Sequence, residues 1–109
     1  MARSGSKIME KLQDLPKMFP DCYKLVFENE KVRVLDLNVK PGDKMAMHSH
    51  PTALIYALGD ADVKFIFPDG KTQEIKQKAG QTTWQESFSH ATENIGKTNA
   101  HALVIEFKA

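Results

Sequence analysis

Short apolar or alternating runs, each stopped by a turn signal, fill the chain from position 23 to its end, and that rhythm is what most restricts its fold. Tyr23 to Phe27 and Val32 to Val39 are strand-like and are joined by the polar turn Glu28-Asn29-Glu30-Lys31. Pro41-Gly42-Asp43 feeds a run from Lys44 to His50, and Gly59-Asp60 ends the run Leu54 to Leu58. Val63 to Phe67 and Thr72 to Lys76 flank Pro68-Asp69-Gly70, a strong hairpin signal. Ala102 to Phe107 closes the chain as an apolar strand. Many short strands at regular turn spacing predict an all-β barrel or sandwich. Residues 6 to 15 depart from the pattern. Ile8, Met9, Leu12 and Leu15 have the spacing of one helix face, with Ser6 as N-cap and Pro16 as stop. The expected organisation is a helical extension over residues 1–22 packed on a β-barrel domain over residues 23–109.

His48-Ser49-His50 lies in the run that follows Pro41-Gly42-Asp43. Side chains two apart on a strand point to the same face, so both imidazoles can be aimed at one point. Neutral imidazole is the commonest protein ligand for transition metals, although an H-x-H pair alone equally fits a solvated strand edge. Met45 and Met47 alternate with Ala46 and His48, so regular pleating turns the methionines away from the histidines and sets Ala46 on their side. Further on, Ala79-Gly80 opens another turn, and the spacing Gly80-x9-His90-x3-Asn94 follows. Three of the four histidines thus fall in two turn-strand segments.

The spacings Gly42-x5-His48-x-His50 and Gly80-x9-His90-x3-Asn94 resemble the two motifs of the cupin superfamily, G-x5-H-x-H-x(3,4)-E-x6-G and G-x5-P-x-G-x2-H-x3-N. The resemblance covers roughly residues 32 to 107. It implies a double-stranded β-helix, or jelly-roll barrel, with a short N-terminal helix packed outside. It also implies one divalent transition metal, Fe, Zn, Mn, Ni or Cu, held by His48, His50 and His90. The chain departs from the family at the motif carboxylate. Pro51-Thr52-Ala53-Leu54-Ile55 contains no acid, and Ala53 stands at the carboxylate position. Glu86 stands where the second motif has proline and is the candidate replacement carboxylate.

Other candidates gather around this set. His101 opens the last strand and is a candidate pocket or proton-carrying group. Tyr56, Trp84, Phe65, Phe67 and Phe88 are candidate pocket walls. Asn94 is a candidate for ligand contact or for a turn-stabilising hydrogen bond. Three histidines without a motif carboxylate resemble the sites of thiol dioxygenases and of a diketone-cleaving dioxygenase. The expected function is therefore a metal-dependent dioxygenase or isomerase acting on a small anionic or chelating molecule. The alternative is a non-catalytic cupin that binds or senses a small ligand or metal.

Composition narrows the remaining classes. Lysine plus arginine number 15 and aspartate plus glutamate 14, so the formal charge is +1 and no basic block exceeds two residues. That gives no electrostatic case for nucleic acid or an anionic membrane. No apolar run is long enough to cross a bilayer, and the first residues have no apolar core behind their charge. Cys22 is the single cysteine, so no disulfide forms within the chain. A cytoplasmic protein is expected. The family resemblance implies a homodimer, and the open edge that a single barrel leaves makes pairing reasonable.

Overall fold

A computed structural model of the chain describes residues 12–108. Among these residues nine strands follow one short helix. The strands are β1 (Tyr23–Glu28), β2 (Val32–Val39), β3 (Lys44–His50), β4 (Ala53–Ala57), β5 (Ala61–Ile66), β6 (Thr72–Gln77), β7 (Thr82–Gln85), β8 (Phe88–Asn94) and β9 (Ala100–Phe107). A five-stranded sheet has the order β1-β2-β9-β4-β7, and a four-stranded sheet the order β3-β8-β5-β6. All pairings are antiparallel. After β2 the chain crosses between the sheets at every step but the β5–β6 hairpin, which wraps it into a jelly-roll barrel with its core between the two layers.

Local chemistry sets the corners. At Pro68-Asp69-Gly70, Gly70 adopts φ +88°, Asp69 Oδ1 accepts from the Lys71 amide at 2.9 Å, and the hairpin joins β5 to β6. A residue with a Cβ is disfavoured at that φ. Asn94 ties the end of β8 to two other segments. Its Nδ2 donates to the carbonyls of Val39 and Thr98, and its Oδ1 accepts from the Gly96 amide. Asn94 is almost wholly buried, so it serves the turn-stabilising role.

The helical expectation over residues 6–15 lies mostly outside the described residues. Within them, residues 12–14 are not helical, and the helix α1 runs Leu15–Met18. Pro16 opens this helix rather than stopping one, because a missing N–H costs nothing in the first turn. Leu15 is fully buried and joins Tyr23, Leu35, Val39, Met45, Ala53 and Val104 in the core. Among the described residues no helix is long and apolar enough to cross a membrane.

β9 decides which side of the five-stranded sheet is the interior. Ala100, Ala102, Val104 and Glu106 are buried, whereas His101, Leu103, Ile105 and Phe107 face outward. Small inward side chains leave open space between the sheets. The larger apolar residues cover the outside. Val32 and Val34 lie beside Phe107 and Ile105, Leu54 and Tyr56 beside Ile105 and Leu103, and Trp84 beside Leu54. Trp84 also packs on Phe107, with ring centroids 5.5 Å apart.

Candidate metal centre

His48 and His90 are direct partners across the β3–β8 pairing, and His50 follows two residues along β3. All three side chains point into the barrel and are buried. Their ring centroids are 4.7 Å (His48–His90), 5.0 Å (His48–His50) and 5.3 Å (His50–His90) apart. One ring nitrogen from each lies within 4.8 Å of the others. At tetrahedral angles two metal–nitrogen bonds of about 2.1 Å set their nitrogens about 3.4 Å apart, so side-chain shifts of up to about an ångström bring all three onto one ion.

A bulge in β3 creates this arrangement. The β3–β8 register shifts between Met45 and His48. Met45 is consequently buried with the histidines while Ala46 and Met47 are exposed. Strict alternation, which placed Ala46 on the histidine side and Met45 opposite, fails at this one extra residue. The bulge also presents the Ala46 carbonyl to His48 Nδ1 at 2.7 Å. A carbonyl only accepts, so Nδ1 carries the proton and Nε2 keeps a lone pair. That Nε2 is buried and has no partner among the described residues.

His50 is set by a different device. Its Nδ1 lies 2.8 Å from Glu106 Oε2. The carboxylate accepts, so Nε2 of His50 is again the free nitrogen. Glu106 is 0% exposed. Its other oxygen accepts from Arg33 Nε at 2.9 Å and from a second guanidinium nitrogen. Arg33 and Glu106 face each other in the β2–β9 register. A buried carboxylate needs this pairing, because an unpaired one costs several kcal/mol. A carboxylate that orients a ligating histidine also raises its basicity towards metal.

Burial pushes the His48 pKa down to about 4 and that of His90 down to about 3. Desolvation is the largest cause in both, and the neighbouring histidines push the same way. Both rings are therefore neutral near pH 7, the form that ligates metal. His90 Nδ1 is buried without a partner, like His48 Nε2. Each such orphan costs about 1–3 kcal/mol. A shared cation removes the cost where nitrogens converge, and this donor set fits one.

Aromatic rings hold the imidazoles in place. Phe88 stacks on His50 with centroids 5.0 Å apart, Phe65 meets His90 edge-on at 4.3 Å, and Phe19 meets His48 at 5.2 Å. Tyr23 stands 6.4 Å from both His48 and His50. Its hydroxyl is held well above the usual phenol range, first by burial and then by the Glu106 charge, and stays protonated.

Next to the histidines lies a chamber of about 70 Å³. Tyr23, His50, Phe65, Phe88, His90 and Thr92 form its metal end. Of the sequence candidates, Phe65 and Phe88 are thus walls. Several others lie elsewhere. Glu86 is exposed and accepts a hydrogen bond from Trp84 Nε1 at 2.7 Å, outside the barrel. Trp84 and Tyr56 are on the outer face because β4 and β7 turn Ile55 and Thr83 inward instead. His101 shares that outer face and lies 3.1 Å from Asp36. Asn94 is used up by its three backbone bonds. Sequence reasoning missed Arg33, Glu106 and Tyr23. The available signal was a single charge inside each of two apolar runs, Val32-Arg33-Val34 and Ile105-Glu106-Phe107.

No protein-family model matches the chain, and no curated protein does. Solved structures do. A cupin domain protein from Bordetella pertussis Tohama I superposes with a TM-score of 0.74 at 21% identity, over 80% of this chain and 92% of that one. A Klebsiella pneumoniae protein described as having a double-stranded β-helix domain gives 0.65 at 18% identity, over 79% and 75%. The polyketide cyclase RemF from Streptomyces resistomycificus gives 0.60 at 17% identity, over 80% and 64%. With the two antiparallel sheets and the strand order described above, these likenesses show a double-stranded β-helix, the fold shared with those cupin proteins.

Proposed function

We propose that the chain is a small metal-dependent enzyme in which His48, His50 and His90 hold one divalent transition-metal ion. It acts as a dioxygenase or isomerase on a small chelating organic molecule. The observation that carries this reading is the convergence of three buried imidazoles, two of which leave a buried nitrogen unpartnered. Three nitrogen ligands leave coordination positions open, the pattern of a catalytic site. When bound, such an ion supplies Lewis acidity or, as iron, reactivity towards oxygen. The absence of a protein carboxylate among the ligands suits a substrate that brings its own anionic or chelating oxygens. The fold is used by at least one protein named as an enzyme, the polyketide cyclase RemF.

The chain's own residues do the positioning. Arg33 fixes Glu106, and Glu106 keeps the His50 proton on Nδ1. The Ala46 carbonyl does the same for His48. Apolar walls keep bulk water from the metal end.

One observation favours a second reading, a non-catalytic binding or sensing protein. Apart from the histidines, the chamber walls carry no acid or basic side chain among the described residues. Metal content per chain, measured on untagged protein for wild type and His48→Ala, tests the metal site. Near one equivalent in wild type and almost none in the variant is expected. Metal absent from both, even after anaerobic loading with Fe(II), Mn(II), Zn(II), Ni(II) and Cu(II), removes the enzyme reading. Oxygen consumption with a panel of diketones and thiols then separates catalysis from binding.

A homodimer and a cytoplasmic location belong to the same proposal. The apolar outer face of the five-stranded sheet supports the first, because antiparallel sheets ordinarily keep that face polar. The second rests on the lone cysteine and is tested by cell fractionation.

A further inference from the structure

The metal-end chamber does not stop at the histidines. A second chamber of about 70 Å³ adjoins it and shares the walls Ile55, Val63, Phe65 and Gln77. The second chamber lies between β6 and β7, which are the edge strands of their sheets at the same end of the barrel. At the other end Phe19 and Tyr23 pack against His48 and close the gap between β1 and β3. The open side is therefore the β6–β7 side. Thr83 and Gln85 of β7, with Gln81 just before it, face this opening. Apart from His50 and His90, no acidic or basic side chain among the described residues lines either chamber.

Two polar atoms in these walls lack partners. Thr92 is 5% exposed, and its Oγ1 is buried with no hydrogen bond. Gln77 lines both chambers. Its Nε2 donates to the carbonyls of Gly59 at 2.9 Å and His101 at 3.2 Å. Both partners only accept, which fixes the amide orientation and leaves Oε1 as an acceptor with no partner among the described residues. A buried polar group without a partner is costly, so Thr92 Oγ1 in an apolar wall points to a ligand that completes it, and Oε1 of the half-buried Gln77 is an acceptor open to the same ligand.

We propose that the two chambers form one channel for a ring-sized organic molecule whose part within the channel is uncharged and carries a hydroxyl or amide group, recognised by Thr92 and Gln77. Size sets the first limit. Two chambers of about 70 Å³ are together close to the roughly 150 Å³ apolar cavity that holds one benzene. Chemistry sets the second. A hydroxyl or amide N–H donates to Gln77 Oε1, and its oxygen accepts from the Thr92 hydroxyl. A carboxylate has no proton for Gln77 and meets no cation in these walls, so its desolvation is uncompensated. Any negative charge on the ligand is confined to the metal end. The inference depends on the preceding reading only for that end.

The test uses toluene, benzyl alcohol and benzoate as probes, with affinities measured by calorimetry or ligand-observed NMR. Each is measured without metal and with one equivalent of Zn(II). Without metal, benzyl alcohol is expected to bind at least about five-fold more tightly than toluene, the gain of one net hydrogen bond. Benzoate is expected to bind most weakly. Thr92→Val, which keeps the wall volume, brings the benzyl alcohol to toluene ratio close to one, and Thr92→Ser restores it. Benzoate binding as tightly as benzyl alcohol without metal overturns the proposal, as does a ratio that Thr92→Val leaves unchanged or the failure of all three to bind at millimolar concentration. Affinity that benzoate gains only with Zn(II) reports the metal site. Failure to take up Zn(II) counts against the metal reading and leaves the channel test standing on the metal-free data.

Discussion

Glu106 is the residue on which the site's electrostatics turn. It is buried between a permanent cation, Arg33, and a histidine. Removing its charge strands Arg33, and breaking one side of a buried pair costs about 3–5 kcal/mol. Glu106→Gln should therefore lower unfolding stability by about 3 kcal/mol in urea titrations. It should also weaken zinc binding by about 10–100-fold, the usual effect of losing a partner that orients a ligating histidine. The double variant Arg33→Met/Glu106→Leu should recover much of the stability and none of the metal affinity. That split separates packing from ligand orientation. A second consequence concerns pH. His48 and His90 titrate in the folded chain near 4 and 3, below the ordinary value of about 6.5 in the unfolded chain. As pH falls below 6.5 the unfolded state takes up protons that the folded state refuses. Metal-free protein should lose stability steadily from pH 6.5 down to about 4, read as a falling urea midpoint. His90→Phe should flatten that dependence.

At the scale of the strand, β3 carries the decisive irregularity. Alternation alone requires Met45 and His48 to face opposite sides, yet both are buried. The one extra residue between them restores the count and supplies the carbonyl that fixes the His48 tautomer. Deleting Ala46 sets Met45 and His48 two apart, so regular pleating turns both inward, but the bulge that presents a carbonyl to His48 Nδ1 is lost. Metal affinity should fall by about 10–100-fold with the histidines still inward, measured by competition with a chelator, while far-ultraviolet circular dichroism still reports a β protein. Most strand positions were legible from the sequence. Val32–Val39 and Lys44–His50 were read with their observed ends, and Tyr23–Phe27 to within one residue. The bulge was not, because Ala46-Met47 has no glycine or other backbone marker and its cause lies in the pairing with β8.

For the whole molecule, the same sheet has an apolar inside and an apolar outside. Trp84 is 56% exposed and Tyr56 41%, and they continue the patch made by Leu103, Ile105 and Phe107. Exposed patches of this kind mark association sites. If two copies pair through this face, light scattering gives about twice the chain mass of 12.3 kDa. Ile105→Lys or Trp84→Glu should then halve the measured mass and leave metal stoichiometry unchanged, since neither side chain reaches the histidines. A single-chain mass for wild type at micromolar concentration removes this pairing.

Turn residues and strand rhythm set the all-β character, because the glycines at 42, 70 and 80 permit the positive φ that their turns take at no steric cost. Spacing alone also put His48 and His50 on one face and picked out His90. Tertiary structure decided what spacing left open. In β9 both alternating sets are apolar but for one charge or histidine each, so periodicity does not say which faces the core. Arg33 across the sheet settles it by drawing Glu106 inward, and His101, Trp84, Tyr56 and Glu86 then fall outside. The carboxylate missing from the motif is supplied in space by a residue fifty-six positions from His50, as a hydrogen-bond partner of the ring rather than as a ligand. A local pattern describes neighbours along the chain, whereas a buried charge is placed by whichever distant group can neutralise it.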